Sequence, residues 1–276
     1  MMDPVHIGGF TIGGGSPFVL IAGPCVIENE NMAMDIASAL KEITSGYGIG
    51  FIFKASYDKA NRTSIDSFRG PGLSKGLDIL SRIRSRFDVP VTSDVHRISE
   101  VDSASQVLDM IQVPAFLCRQ TDLVVKIAET GKAINIKKGQ FLAPWDMENV
   151  VKKAKSAGNN RVVLTERGTM FGYNNLVVDM RSIGIMQKTG CPVVFDATHS
   201  VQLPGGAGHS SAGQREYAPV LARAAIAAGA DAVFLEVYRD PDKALCDGPN
   251  AMALKDIDRL IKDLSAIRNA LKESDG

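Results

Sequence analysis

The side chains that could do chemistry in this 276-residue chain fall into two groups, one cationic and one able to bind a metal ion. The cationic group contains Lys54, Lys59, Arg62, Lys137 and Arg167. Arg offers a planar bidentate fork and Lys a compact point charge, and both bind phosphate or carboxylate strongly where water is excluded. Each residue alone could equally be a solvated surface group or an ion-pair partner. Together they indicate an anion pocket that suits two phosphates and a carboxylate.

The second group is Cys25, His199, Glu236 and Asp247. One thiolate, one imidazole and two carboxylates make a mixed ligand set for zinc, iron(II), manganese or a similar divalent ion. The alternative is that the Cys is a small buried apolar residue, the His is only hydrogen-bonded and the carboxylates neutralise the lysines. The residue types by themselves leave both interpretations open.

The segment after Lys54 adds hydroxyl groups at Ser56, Thr63 and Ser64, beside Arg62. Hydroxyls, a guanidinium and nearby glycines that let backbone approach a ligand suit a phosphate. The same residues could form an ordinary helix cap or turn. This loop is therefore a weaker signal than the cationic group.

The elements that must position these residues are short apolar runs bounded by Gly, Pro, Asp or Asn, which are typical of buried parallel strands. They are Phe18–Ala22, Phe51–Lys54, Val89–Ser93, Met110–Val113, Ala133–Ile136, Arg161–Leu164, Pro192–Asp196 and Asp231–Glu236. Segments with helical spacing lie between them, for example from Met32, Gly76 and Tyr217. Eight such units in a chain of this length favour an α/β fold of the (β/α)8 TIM barrel type, and no GxGxxG follows the first strand as a dinucleotide fold would require.

The chemically active residues then fall at or just after the carboxyl ends of the strands, where barrel active sites are built. Cys25 follows the first strand, Lys54 and Lys59 the second, Asp94 the third, Gln112 the fourth, Lys137 the fifth, Arg167 the sixth, His199 the seventh and Glu236 the eighth. This distribution predicts one active site at that end of the barrel.

The opening residues 1–16 alternate apolar residues around a Gly cluster, which predicts a short N-terminal β-hairpin that plugs the barrel bottom. We expect residues 1–276 to form a single catalytic domain. Met110, Phe116, Met170 and Phe171 are interpreted as barrel packing.

Composition indicates a small-molecule enzyme. Lys plus Arg and Asp plus Glu each number 31, so the overall charge gives no reason to expect a nucleic-acid or membrane partner. The N-terminus lacks a basic segment followed by an apolar stretch, and we expect a cytoplasmic protein. Cys118, Cys191 and Cys246 have no obvious partner, and the wide cysteine spacing argues against a disulfide framework. We assign no chemistry to them, nor to His6 and His209.

Six motifs resemble those of the 3-deoxy-D-manno-octulosonate 8-phosphate (KDO8P) synthase family, in the same order and over almost the whole chain. They are AGPCVIE at Ala22–Glu28, FKASYDKANRTS at Phe53–Ser64, FRGPGL at Phe68–Leu73, IQVPAFLCRQTDL at Ile111–Leu123, NIKKGQF at Asn135–Phe141 and DATHSVQLPGG at Asp196–Gly206. The combination of KANR with DATHSVQ is highly specific.

This resemblance implies a (β/α)8 barrel, usually a homotetramer, that joins phosphoenolpyruvate to arabinose 5-phosphate with water and releases inorganic phosphate for lipopolysaccharide biosynthesis. It implies a phosphoenolpyruvate site at Lys59, Gln112, the Ala115 backbone, Lys137 and Arg167, with Lys54 and Ser56 holding the carboxylate and Asp94 nearby. It implies an aldose-phosphate site at Asn61, Arg62 and Ser64, part of which a neighbouring subunit completes. Lys59, Lys137, His199 and Asp247 are the expected catalytic residues.

The family divides by the residue after the first strand, which is Asn in members that need no metal and Cys in members that do. Cys25 therefore implies the metal-dependent class, with His199, Glu236 and Asp247 as the remaining ligands.

Three other functions stay open from the residues. A related synthase uses erythrose 4-phosphate, but we associate KPRTS with it, where this chain has KANRTS. A Schiff-base aldolase could use Lys54 or Lys137. A non-catalytic barrel could bind sugar phosphates as a regulator.

Overall fold

The computed structural model describes residues 3–61, 64–206 and 212–274. Strands and helices are numbered in chain order. The strands are β1 Val5–Ile7, β2 Phe10–Ile12, β3 Val19–Gly23, β4 Gly50–Lys54, β5 Val91–Asp94, β6 Met110–Val113, β7 Ala133–Lys137, β8 Val162–Glu166, β9 Thr169–Met170, β10 Leu176–Val177, β11 Val193–Asp196, β12 Gln202–Leu203, β13 Ala212–Gly213, β14 Ala232–Tyr238 and β15 Met252–Ala253. The helices are α1 Glu30–Gly46, α2 Leu73–Phe87, α3 Ile98–Val107, α4 Thr121–Ala128, α5 Met147–Ser156, α6 Arg181–Gln187, α7 Ala197–Ser200, α8 Ala218–Ala227 and α9 Ile257–Ser274. Single 3-10 turns cover Ala115–Leu117, Pro144–Asp146, Arg215–Tyr217, Pro241–Lys243 and Leu254–Asp256.

Eight parallel strands close into a barrel in the order β3-β4-β5-β6-β7-β8-β11-β14, and β14 pairs back onto β3. A helix crosses back along the outside between successive strands. The prediction of a (β/α)8 barrel is confirmed. Because both faces of each strand are covered, the strands are buried throughout and mostly apolar, with polar residues concentrated toward their carboxyl ends.

The N-terminal hairpin lies at the bottom of the barrel, as predicted. Its strands β1 and β2 pair antiparallel. Val5, Ile7 and Ile12 share one apolar cluster with barrel residues such as Val19 and Ile52. These barrel residues lie within the first three positions of their strands, so the hairpin closes the end opposite the predicted active site.

The first helix fixes the loop that carries Cys25. Asn29 caps helix α1 by accepting a hydrogen bond from the Met32 amide at 2.9 Å. Buried residues recur along α1 at helical spacing, among them Ile36 and Leu40, and pack it against the barrel wall. The β3–α1 loop is thereby held between a buried strand and a capped helix.

Several elements were not foreseen in the sequence. Two small hairpins, β9 with β10 and β12 with β13, follow the sixth and seventh barrel strands, and the single-turn helix α7 follows β11. No helix in the described part of the chain is long and apolar enough to cross a membrane.

The interpretation of four Met and Phe residues as barrel packing is wrong for three of them. Met110 is fully buried in β6, but Phe116, Met170 and Phe171 are 53%, 57% and 72% exposed. Phe116 lies in the 3-10 turn after β6, and Met170 and Phe171 lie in or next to the small hairpin after β8, so none of the three side chains enters the core. All three are exposed in segments that follow the carboxyl ends of barrel strands.

Candidate active site

A cavity of about 320 Å³ opens among the loops that follow the barrel strands. Nine of the residues predicted from the sequence line it: Lys54, Lys59, Asn61, Asp94, Ala115, Lys137, Arg167, His199 and Asp247. Residues from most of the eight strand ends thus meet at one place, as barrel geometry requires.

Lys54 lies on the floor of this cavity and is 1% exposed. Its Nζ donates to Glu236 Oε1 and to the Cys25 carbonyl, each at 3.3 Å, and lies 3.4 Å from Asp94 Oδ2. Burial by itself would lower the pKa of Lys54, but the Asp94 and Glu236 carboxylates outweigh it and raise that pKa. Lys54 is therefore a fixed positive charge.

Glu236 is the carboxylate that Lys54 and Lys59 share. Its Oε1 lies 3.5 Å from Lys59 Nζ and 3.5 Å from His199 Nε2. Burial would raise the pKa of Glu236, but Lys59, His199 and Lys54 lower it to about 2. The side chain is fully buried, and its Oε2 has no hydrogen-bond partner among the described residues.

Asp196 organises the other side of the cavity, and sequence reasoning gave it no role. Its Oδ2 accepts hydrogen bonds from Lys137 Nζ at 2.6 Å and from His199 Nδ1 at 2.7 Å. Its Oδ1 accepts from the His199 amide at 2.9 Å, which makes Asp196 the N-cap of α7. Burial would raise the pKa of Asp196, but His199 and Lys137 keep it below its ordinary value.

This arrangement orients the ring of His199. Because a carboxylate can only accept, Nδ1 donates its proton to Asp196, and Nε2 is turned toward Glu236 Oε1. A carboxylate behind an imidazole is the usual support of a metal-binding or proton-transferring His. Burial also lowers the pKa of Lys137, an effect that Asp196 opposes.

Arg167 is 6% exposed and held by two acceptors. Its Nη2 donates to the His199 carbonyl at 3.1 Å and to Gln202 Oε1 at 3.0 Å. Its Nε finds no acceptor in the part of the chain that the structure describes, which leaves a buried donor beside the cavity. Burial lowers the pKa of Arg167 from its ordinary value, although Arg remains charged at any physiological pH.

A hydrogen-bond chain crosses five neighbouring strand ends beneath the cavity. Thr165 donates to Asn135 at 2.5 Å, Asn135 to Gln112 at 3.0 Å and Gln112 to Asp94 at 2.7 Å. Ser56 donates to the other oxygen of Asp94 at 2.7 Å. Burial would raise the pKa of Asp94, but Lys54, Lys59 and Lys137 hold it well below its ordinary range.

This chain places two predicted substrate-binding residues beneath the cavity instead of on its wall. Ser56 and Gln112 are fully buried, and both donate their side-chain hydrogen bonds to the Asp94 carboxylate. They can reach a ligand only through Asp94 and Lys54.

The predicted aldose-phosphate residues follow β4 in the sequence. Asn61 lines the cavity. Ser64 is half-buried, away from the cavity wall, and its hydroxyl accepts from the Asp66 amide at 3.3 Å. Arg62 lies outside the described residues, as does Thr63.

The four predicted metal ligands, together with Cys246, form two trios that share Asp247. Ligand atoms of His199, Glu236 and Asp247 lie within 4.8 Å of one another, and so do those of Cys25, Cys246 and Asp247. The Cys25 Sγ lies 3.3 Å from Asp247 Oδ2. The unpartnered Glu236 Oε2 and the mixed sulfur, nitrogen and oxygen set fit a divalent ion of borderline softness.

Cys246 has a partner, which corrects the sequence interpretation. Its Sγ contacts the Sγ of Cys25, and the two Cα atoms lie 6.1 Å apart, although 221 positions separate them in the chain. Closure of the barrel brings the loops after the first and last strands together, and cysteine spacing along the sequence cannot reveal this. Cys25 can bond to Cys246 or offer a thiolate to a metal, but not both.

Other residues at the site were missed. His96, Gln140 and Gln202 line the cavity beside the predicted residues. Lys138 is fully buried, donates to the Gly168 carbonyl at 3.3 Å and lies 3.6 Å from Glu166. The available signal was their position in the sequence. Lys138 and Gln140 lie in the motif NIKKGQF, Gln202 lies in DATHSVQ, and His96 comes two residues after the end of β5.

Comparison with known proteins gives one consistent result. A model of the DAHP synthetase I family matches residues 3–273. The 2-dehydro-3-deoxyphosphooctonate aldolase of Desulfosudis oleivorans is 62% identical over 277 residues, covering 100% of this chain and 99% of that protein. Proteins of the same name from Geobacter sp. strain M21 and Geobacter sulfurreducens are 61% and 59% identical, covering 97% and 99% of this chain and 98% and 100% of their own lengths.

Proposed function

The chain belongs to the DAHP synthetase I family, and on that premise we propose that it condenses phosphoenolpyruvate with D-arabinose 5-phosphate and water. The products are 3-deoxy-D-manno-octulosonate 8-phosphate and inorganic phosphate. The observation that carries the proposal is the set of buried cations around one cavity, in a chain 62% identical over its whole length to a protein named 2-dehydro-3-deoxyphosphooctonate aldolase.

The reaction brings two phosphorylated anions together, so charge neutralisation and positioning must supply most of the acceleration. A bond forms between C3 of phosphoenolpyruvate and the aldehyde carbon of the sugar, water adds at C2, and phosphate leaves. Lys59, Lys137 and Arg167 are the proposed partners of the phosphoenolpyruvate phosphate, with the Ala115 backbone beside them. All three cations are at least nine-tenths buried, so each contact with an anion is strengthened.

Lys54 is the proposed partner of the substrate carboxylate. Ser56 and Gln112 act on it indirectly, because both hold Asp94, which lies 3.4 Å from Lys54. The aldose phosphate is assigned to Asn61, Arg62 and Ser64, of which Asn61 lines the cavity.

His199, Glu236 and Asp247 are the proposed groups for orienting the aldehyde and the water and for moving protons. With Nδ1–H held by Asp196, His199 directs Nε2 toward Glu236 and the cavity. Together with Cys25 these residues would hold zinc, iron(II), manganese(II) or a similar ion, which supplies a Lewis acid when bound.

We further propose a cytoplasmic homotetramer over residues 1–276 as one catalytic domain, with small molecules as its only substrates. Exposed aromatic side chains near the carboxyl end of the barrel support self-association: Phe116, Phe141, Trp145, Phe171 and Tyr173. Light scattering on the eluting protein would measure the mass, and a monomer would contradict the tetramer.

The test is phosphate release from phosphoenolpyruvate with arabinose 5-phosphate and, in parallel, erythrose 4-phosphate. The second sugar is included because the family description names DAHP synthetase. Preference for arabinose 5-phosphate is the expected result, and preference for erythrose 4-phosphate would overturn it. Borohydride trapping with substrate tests the Schiff-base alternative at Lys137.

Two variants connect this assay to the cavity. Lys137→Met should abolish turnover, because it removes a buried cation beside the cavity. Lys152→Met is the matched control, since Lys152 is exposed and pairs with Glu148 on the surface. If Lys137→Met were as active as Lys152→Met, Lys137 would have no role in the reaction.

A further inference from the structure

The loop between β14 and β15, residues 239–251, carries both Cys246 and Asp247. Asp247 has a φ of 48°, in the left-handed region that a residue other than Gly rarely adopts. Such a conformation persists only when surrounding contacts hold it. Contacts that anchor this loop therefore decide where the Asp247 carboxylate points.

Glu28 makes two such contacts with one carboxylate. Its Oε1 accepts a hydrogen bond from the Leu245 amide at 2.8 Å, two residues before Asp247. Its Oε2 accepts from the Tyr238 hydroxyl at 2.7 Å, at the end of β14. Glu28 thus joins the β3–α1 loop to both the strand that carries Glu236 and the loop that carries Asp247.

The three segments that meet at Glu28 are the ones that carry Cys25, Glu236 and Asp247. Cys25 precedes Glu28 by three residues, and Glu236 precedes Tyr238 by two along β14. Neither Glu28 nor Tyr238 lines the cavity. Any effect of theirs on a ligand must therefore pass through the residues that they hold.

Glu28 is not needed to cap the neighbouring helix. Asn29 already caps α1 by accepting from the Met32 amide. The two oxygens of Glu28 are instead both occupied by donors of the last strand and the loop after it, the Tyr238 hydroxyl and the Leu245 amide. Both bonds are charge-assisted, which is the stronger kind.

We propose that Glu28 is a positioning residue, which through Tyr238 and the Leu245 amide holds the loop of Cys246 and Asp247 against the first strand end and so keeps Asp247 in reach of His199, Glu236 and Cys25. This inference rests on the proposed function for its catalytic consequence, but its structural consequence can be measured separately.

The variants are Glu28→Ala, Tyr238→Phe and the double variant, with Tyr47→Phe as matched control. Tyr47 also donates to a carboxylate, that of Asp258 at 3.2 Å, on the exposed surface away from the cavity. The first measurement is hydrogen–deuterium exchange of residues 243–251 without metal or substrate. Exchange should rise about 10- to 100-fold in Glu28→Ala, because the loss of a hydrogen bond to a charged group has that order of effect.

The second measurement is zinc affinity by competition with a chromophoric chelator. Loss of a residue that orients metal ligands typically weakens affinity about 10- to 100-fold, and we expect Glu28→Ala to fall in that range and Tyr238→Phe to be milder. If Tyr238 acts only through Glu28, the double variant should be no worse than Glu28→Ala. The turnover number should fall with metal affinity, while Tyr47→Phe stays at the wild-type value.

Two results would overturn the proposal: wild-type exchange and zinc affinity in Glu28→Ala, or additive losses in the double variant. Failure of the proposed function has a different signature. In that case the wild-type protein releases no phosphate with arabinose 5-phosphate, while the exchange and zinc measurements still decide whether Glu28 holds the loop.

Discussion

Replacement of Asp196 by Asn tests the reasoning about the site most directly. The carboxylate accepts from Lys137 Nζ and His199 Nδ1 through one oxygen and from the His199 amide through the other. An Asn oxygen can keep the amide bond, but its NH2 group would face two donors. Lys137 would then lose its counter-charge, and His199 would favour the opposite tautomer, with the proton on Nε2.

The size of the effect follows from the two lost bonds. A hydrogen bond to a charged group contributes about 1.5–3 kcal/mol, so two contribute about 3–6 kcal/mol. Since about 1.4 kcal/mol corresponds to a factor of ten, kcat/KM should fall by roughly 10²- to 10⁴-fold. The free energy of unfolding should also fall, by about 3–5 kcal/mol, because Lys137 is left buried and unpaired.

Phosphate release with arabinose 5-phosphate measures the first effect, urea unfolding the second, and ¹⁵N chemical shifts of His199 report its tautomer. Asp231→Asn is the control: Asp231 is also buried and accepts from the Val193 amide at 2.9 Å, but at the opposite end of the barrel. It should lose stability and keep kcat. Folded Asp196→Asn with wild-type kcat/KM, or an equal loss of activity in Asp231→Asn, would refute the argument.

Further predictions concern the metal, the cysteines and two buried charges. A strong chelator should abolish phosphate release and added divalent metal should restore it; turnover by protein without metal, checked by elemental analysis, would contradict the ligand assignment. Diamide or hydrogen peroxide, which takes two electrons and two protons from the thiols of Cys25 and Cys246, should inactivate the enzyme until dithiothreitol is added. Cys246→Ser should resist this treatment, and equal inactivation of that variant would argue against the pair. Lys138→Met should lower the free energy of unfolding by about 3–5 kcal/mol, because Glu166 loses its buried counter-charge; a urea midpoint equal to wild type would disprove this. Since the folded-state pKa of Asp94 is lowered, its contribution to stability should be complete well above about pH 4 and decline as pH falls further, and Asp94→Asn should flatten that part of the pH–stability curve.

The barrel and the place of the site could be predicted from the sequence. Strands buried on both faces are short, mostly apolar runs, and the residue at or after each strand end is a fixed position in a barrel. Cys25, Lys54, Lys137 and Arg167 were therefore found by their location as well as their type.

The partners of those residues could not be predicted in the same way. Asp196 turns back onto His199 because a single-turn helix follows it, and no periodicity signals a helix of four residues. Cys246 meets Cys25 only because the barrel closes. Phe171 was interpreted as core because it is apolar, but it lies in a loop without strand or helix spacing, where residue type alone does not determine burial.

The hydrogen-bond chain beneath the cavity restricts which single substitutions the protein can accept during evolution. Each side chain in it donates to its neighbour on the Asp94 side, so the acceptor residue sets the orientation of each amide. Asp94 ends the chain by accepting from Gln112 through one carboxylate oxygen and from Ser56 through the other. Replacement of Gln112 by an apolar residue would leave the Asn135 NH2 group without its acceptor and Asp94 without one of its donors. We therefore expect related proteins to keep these residues as a set or to replace them as a set. A protein with a single member replaced should be less stable until the neighbouring positions have also changed.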